Sequence, residues 1–160
     1  MPWTTKLLVV ASQTADSDEL LEHLRTRAEK GPIQVTLVVP ADHGGREAAR
    51  ERLARALDKM RGAGLQADGV VGDADPLHAV LDVYSPRDHD EILVSTFAAQ
   101  FSRWVGGNVP HRVAQSTGAL VHHVEVHERR PEPESRPAAQ PERRGILAAL
   151  SALGWGRRAA

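Results

Sequence analysis

Short, unbroken apolar runs alternating with helix-patterned segments restrict the fold of this chain more than any other feature. Lys6-Leu-Leu-Val-Val-Ala11, Gln34-Val-Thr-Leu-Val-Val39, Gln66 to Val71, Glu91-Ile-Leu-Val-Ser95 and Leu120 to Val126 are each too short for a helix. Apolar runs of this length fit strands that are covered on both faces. Between them, apolar residues recur at helical spacing: Leu20, Leu21, Leu24 and Ala28; then Ala49, Leu53, Ala56 or Leu57, and Met60; then Leu77, Val80, Leu81 and Tyr84. Such alternation predicts a parallel sheet layered between helices. Right-handed crossovers reduce its topology to a few open, doubly wound orders.

Polar residues punctuate the segments. Asp16 precedes Glu19 by three residues, a capping-box spacing for the first helix, which Gly31-Pro32 stops. The second helix is expected from Arg46 to Gly62. Asp75 is placed to cap the third, with Pro76 at its first helical position. A last helix, Val109 to Ser116, follows Gly106-Gly107-Asn108. Composition changes at Glu128, so residues 1–128 are expected to form the α/β domain. Residues 129–144, with four prolines and many charges, read as a disordered linker. Residues 145–160 carry Ile146, Leu147, Leu150, Leu153 and Trp155 and read as a short amphipathic segment, suited to docking on a protein partner or on its own domain.

Composition removes several function classes. The 160 residues include no cysteine, which excludes disulfides, thiol catalysis and Cys-ligated metals. Lys+Arg of 20 against Asp+Glu of 21 gives a net charge of −1, so no general attraction to nucleic acid or anionic lipid is expected. The cations Arg46, Arg50, Arg52, Arg55, Lys59 and Arg61 alternate with Glu47, Glu51 and Asp58 at salt-bridge spacing, which predicts a solvated helix face. The apolar stretch from Leu7 to Ala11 is too short for a signal-peptide core or a membrane span, so a cytoplasmic protein without membrane insertion is expected.

Val70-Val71-Gly72-Asp73-Ala74-Asp75-Pro76, Asp90-Glu91-Ile92-Leu93-Val94-Ser95-Thr96, Gly107-Asn108, Val113 and the Val-rich final strand make a more specific series. In order and spacing, from about Lys6 to Val126, it resembles the universal stress protein (UspA-like) family. The resemblance implies a five-stranded parallel sheet in the order 3-2-1-4-5 with helices on both faces, a three-layer α/β/α fold like that of the adenine nucleotide alpha hydrolases. It further implies a role in the stress response and a homodimer built through the last strand, Leu120 to Val126.

Family members that bind ATP carry an Asp at the end of strand one. They also carry a loop after strand four with two glycines separated by two residues, then nine residues, then Gly and Ser or Thr. Phosphates need bare backbone N–H groups, which side chains obstruct. In this chain Ser12 stands at the acid's position, Ser95 and Ala98 fall at the first two glycines, and the loop is one residue shorter. Only the last pair is kept, as Gly107-Asn108, which makes the chain a divergent case with a degenerate glycine motif.

The candidate nucleotide or anion contacts are Ser12, Val39, Gly72, Asp73, Ser95, Thr96, Gly107, Asn108 and Val109. The expected ligand is an adenine nucleotide or a smaller anion, with no cofactor certain. Gly106 and Gly107 supply positive φ, Asn108 caps, and the amides from Val109 onward face the anion; the plainer reading is a tight turn into a helix. Phe97 and Gln100 are expected to project into space that a triphosphate needs. Phe97, Phe101 and Trp104 form either a lid or loop packing. The expected function is a binding or regulatory module with weak or no ATP binding. An ATP- or AMP-binding protein, or an enzyme acting on phosphorylated or adenylated substrates in the same crevice, are the alternatives.

No catalytic constellation emerges. Ser12, Ser95 and Thr96 lack a nucleophile elbow, and Asp75 is better used as a cap than as half of a carboxylate pair with Asp73. Strand alternation puts His123, Glu125 and His127 on one side of the last strand and His122 on the other. Ligands spaced along a strand make a surface array rather than a compact metal site, and polar residues there protect an exposed edge.

Overall fold

The computed structural model describes residues 3–98 and 103–127. The expected linker and amphipathic segment, together with Gln100 and Phe101, lie outside the described residues.

The elements run β1 (Thr5–Ala11), α1 (Asp18–Lys30), β2 (Ile33–Pro40), α2 (Gly45–Gly62), β3 (Gln66–Gly72), α3 (Pro76–Val83), β4 (Glu91–Phe97), α4 (Arg103–Gly106), α5 (Val109–Thr117) and β5 (Leu120–Val126). All strand pairs are parallel and the sheet order is β3-β2-β1-β4-β5. The most apolar run is therefore the middle strand: Leu7 faces Val35 of β2 on one side and Glu91 of β4 on the other.

Strand periodicity splits the core in two. Leu7, Val9 and Ala11 pack with Leu37, Val39 and Leu93 beneath Leu20 and Leu24 of α1 and Ala49, Ala56 and Met60 of α2. Leu8 and Val10 pack with Val38, Ile92 and Val94 beneath Ala79 and Val80 of α3 and Val109 and Val113 of α5. Each fully buried aliphatic side chain contributes about 1.5–3 kcal/mol, so the five buried residues of β1 anchor both layers. Among the described residues no helix is long and apolar enough to cross a membrane.

Two sequence expectations need correction. Ser17, not Asp16, caps α1: its hydroxyl accepts from the Leu20 amide at 3.2 Å. Asp16 instead takes a hydrogen bond from Arg55 Nε at 2.9 Å, a contact between the loop before α1 and helix α2. The cations of α2 are likewise not a purely solvated face. Arg50 pairs within the helix with Glu47, but Lys59 reaches Asp18 at 2.8 Å, Arg61 donates to the Ala67 carbonyl, and Arg52 is buried. Tertiary partners nearby in space displaced the intrahelical ones nearby in sequence.

The turn between α3 and β4 holds a buried histidine. The Ser85 amide donates to His89 Nδ1 at 3.1 Å, and the imidazole stacks on Tyr84. Burial pushes the His89 pKa below its ordinary value, aided by Lys6 and opposed by Asp88 and Asp90. Since the unfolded state then binds the proton more readily, this contribution to stability is complete above about pH 6.5 and is lost as pH falls from there through the lowered folded value. Urea midpoints measured between pH 8 and pH 5 are expected to drop on the acid side. The drop should shrink in His89→Asn, which keeps an acceptor and cannot titrate; an unchanged slope in that variant would refute the assignment.

Candidate functional site

The strand order reverses direction between β1 and β4, so the crevice of this sheet opens outside their carboxyl ends. Ser12 follows β1 there, and Ser95 and Thr96 lie on the end of β4, which places three expected contacts together. All three are buried.

Their hydroxyls are already engaged. Ser12 Oγ donates to Asp42 Oδ1, in the loop after β2. Ser95 Oγ donates to Thr14 Oγ1 at 2.9 Å, while Thr14 Oγ1 donates to the Ser95 carbonyl at 3.1 Å, so the β1–α1 loop is fastened across the switch point. The Thr96 hydroxyl donates to the Phe97 carbonyl at 2.9 Å and pairs with His123 Nε2 at 2.8 Å. With the hydroxyl proton directed at the carbonyl, the imidazole supplies the N–H of that pair. This polarity is the reverse of a base activating a nucleophile.

Sequence reasoning missed Asp42, Thr14 and Arg52. An acid does reach the end of β1, but it arrives from the β2–α2 loop, 30 residues from Ser12. Asp42 also accepts from the His43 amide at 2.7 Å and lies 3.9 Å from Arg52 Nη2, whose guanidinium donates to the His43 carbonyl at 2.9 Å. The available signal was Asp42 standing two residues beyond a strand-ending proline.

The remaining expected residues spread along the same end of the sheet. Val39 is a buried core residue of β2. Gly72 ends β3, where a Cβ would sit 2.6 Å from Ala79 Cβ, so α3 uses its bareness for close packing. Asp73 Oδ1 accepts from the Asp75 amide at 2.8 Å, and Asp75 Oδ1 accepts from Leu77 and His78, as the cap expectation required. Both carboxylates thus build the start of α3.

At α5 the left-handed residue is Asn108, with φ of 55°, and it makes no side-chain cap. Its amide donates to the Val105 carbonyl at 3.0 Å. Val109 is buried in the core, and Pro110 brings no N–H to the first turn, so an anion there would meet the Val109 and His111 amides only. After β4, the amide of Ala98, which the sequence places at a glycine position of the ATP-binding pattern, donates to the Val126 carbonyl of β5 at 3.2 Å. Phe97 is partly buried against the α1–α2 layer, whereas Trp104 is buried in the opposite layer, so the two form no common lid. His122 on β5 pairs with Glu91, and His127 just after the strand pairs with Glu19 of α1. Among the described residues no three His, Asp or Glu side chains are grouped to hold a metal.

These features define a doubly wound α/β protein with a cluster of buried polar side chains at the β1–β4 switch point. More particularly, the fold is that of the universal stress proteins. A universal stress protein from Archaeoglobus fulgidus in complex with dAMP superposes with a TM-score of 0.54 at 16% identity, covering 78% of this chain and 100% of that one. A second structure from Archaeoglobus fulgidus gives 0.56 at 19%, covering 76% and 93%. A universal stress protein in complex with cAMP gives 0.53 at 18%, covering 79% and 100%. No family profile and no curated protein matches the sequence.

Proposed function

We propose that this chain is a divergent universal stress protein acting as a binding or regulatory module, whose crevice takes a nucleoside or short nucleotide but gains little from a triphosphate. The observation that carries the reading is the loss of phosphate donors: the Ala98 amide is bonded to Val126, and Pro110 has no amide. Each charge-assisted contact of this kind contributes about 1.5–3 kcal/mol, so losing two weakens a polyphosphate by roughly a hundredfold or more. Asp42 beside Ser12 still offers an acceptor for hydroxyl donors at the end of β1. Neighbours of the same fold hold dAMP and cAMP, which supports monophosphates as the ligands to try.

The reading extends to self-association in the cytoplasm through β5, an edge strand whose Leu120 is 59% exposed. Native mass spectrometry and calorimetry test both parts. A dimer without co-purified nucleotide, binding Mg-ATP no more tightly than AMP, is the expected result. ATP bound more than about tenfold tighter than AMP, in a magnesium-dependent way, would establish a functioning triphosphate site and overturn the reading.

A further inference from the structure

The opposite end of the sheet carries a separate basic hollow of about 340 Å³. Its floor is Thr5 and Ile33, the paired first residues of β1 and β2. Its wall is His23, Thr26, Arg27 and Lys30 of α1, spaced i, i+3, i+4 and i+7, which makes one continuous stripe on the helix. The stripe beside it, with Leu20 and Leu24, fills the core. A helix thus presents a second, wholly polar face to a half-open concavity, with His23, Thr26 and Lys30 exposed at its rim.

We propose that this hollow binds the dianionic head of a small phosphorylated ligand. Cations in a last turn are commonly explained by the helix dipole, and Arg27 and Lys30 satisfy that rule. The dipole gives no reason for a histidine and two threonine hydroxyls around the same cavity, however. Together they supply the charged and neutral donors a phosphate takes. Arg27 is held in place by Glu91, which also pairs with His122 at 3.0 Å; that contact uses Nη2 of a group with five N–H donors. The His23 pKa is lowered, by burial first and then by the positive charges of Arg27, His122 and Lys30 beside it. The volume exceeds what a bare phosphate fills and lies in the range of small-metabolite pockets.

The test is an amide NMR titration of the intact chain with inorganic phosphate and with ribose 5-phosphate at constant ionic strength. Saturable shifts at Thr26, Arg27, Lys30 and Gly31 are expected. Lys30→Gln should weaken them about tenfold or more. Arg25→Gln, the same charge change on a residue paired with Glu22 outside the hollow, should leave them unchanged. Tighter binding of the sugar phosphate identifies an organic ester as ligand, and equal binding identifies free phosphate; both support the site. Shifts that never saturate, that are equal in Lys30→Gln, or that fall only on residues 96–98 and 107–109 overturn it. This outcome is independent of whether the β1–β4 crevice holds a nucleotide.

Discussion

Asp42→Ala is expected to destabilise the domain by about 3 kcal/mol, read as a lower urea midpoint with an unchanged m-value. The carboxylate accepts from Ser12 Oγ and from the His43 amide, and it lies 3.9 Å from Arg52, which is only 6% exposed. Hydrogen bonds to a charged group contribute about 1.5–3 kcal/mol each; water reaching the partly exposed site after truncation recovers some of that. Asp42→Asn keeps an acceptor for Ser12 and loses only the charge, so a cost of about 1 kcal/mol is expected. If alanine and asparagine cost the same, or alanine costs less than about 1 kcal/mol, the network does not hold this end of the sheet together.

Gly72→Ala is expected to cost about 2 kcal/mol by overpacking. The added Cβ would lie 2.6 Å from Ala79 Cβ and 3.0 Å from Val38 Cγ1. Both neighbours are buried, and β2 and α3 are rigid elements, so neither yields cheaply. Ala79→Gly removes the closer obstacle at a helix-propensity cost of about 1 kcal/mol. The double variant should therefore be more stable than the sum of the two single changes by over ~1 kcal/mol. Strict additivity would mean that α3 does not sit this close to the sheet. The same packing explains why a residue expected at the ligand crevice is needed by the fold whatever it contacts.

Much of the molecule was legible before folding was considered. The five strands, the Asp75-Pro76 helix start and the 3-2-1-4-5 order follow from apolar runs, local cap chemistry and the resemblance carried by residues 70–126. At the start of α5, amides from Val109 onward were expected to face an anion, although Pro110 lacks its donor wherever the chain puts it. The cap of α1 was not readable. Asp16 and Ser17 are neighbours with equal capping chemistry, and the choice fell to Arg55 on another helix, which claims Asp16.

The sequence alone determined the layering, since a continuous apolar run can be satisfied only by cover on both faces. Tertiary structure alone decided which polar groups meet. Asp42 finds Ser12, Thr14 bridges to Ser95, the Ala98 amide finds Val126, and the stripe of α1 lines a hollow with Thr5. Apolar burial is non-directional and leaves its mark in composition and period. A hydrogen bond needs its partner within about 3 Å, a distance between residues far apart in the chain that only the folded backbone sets.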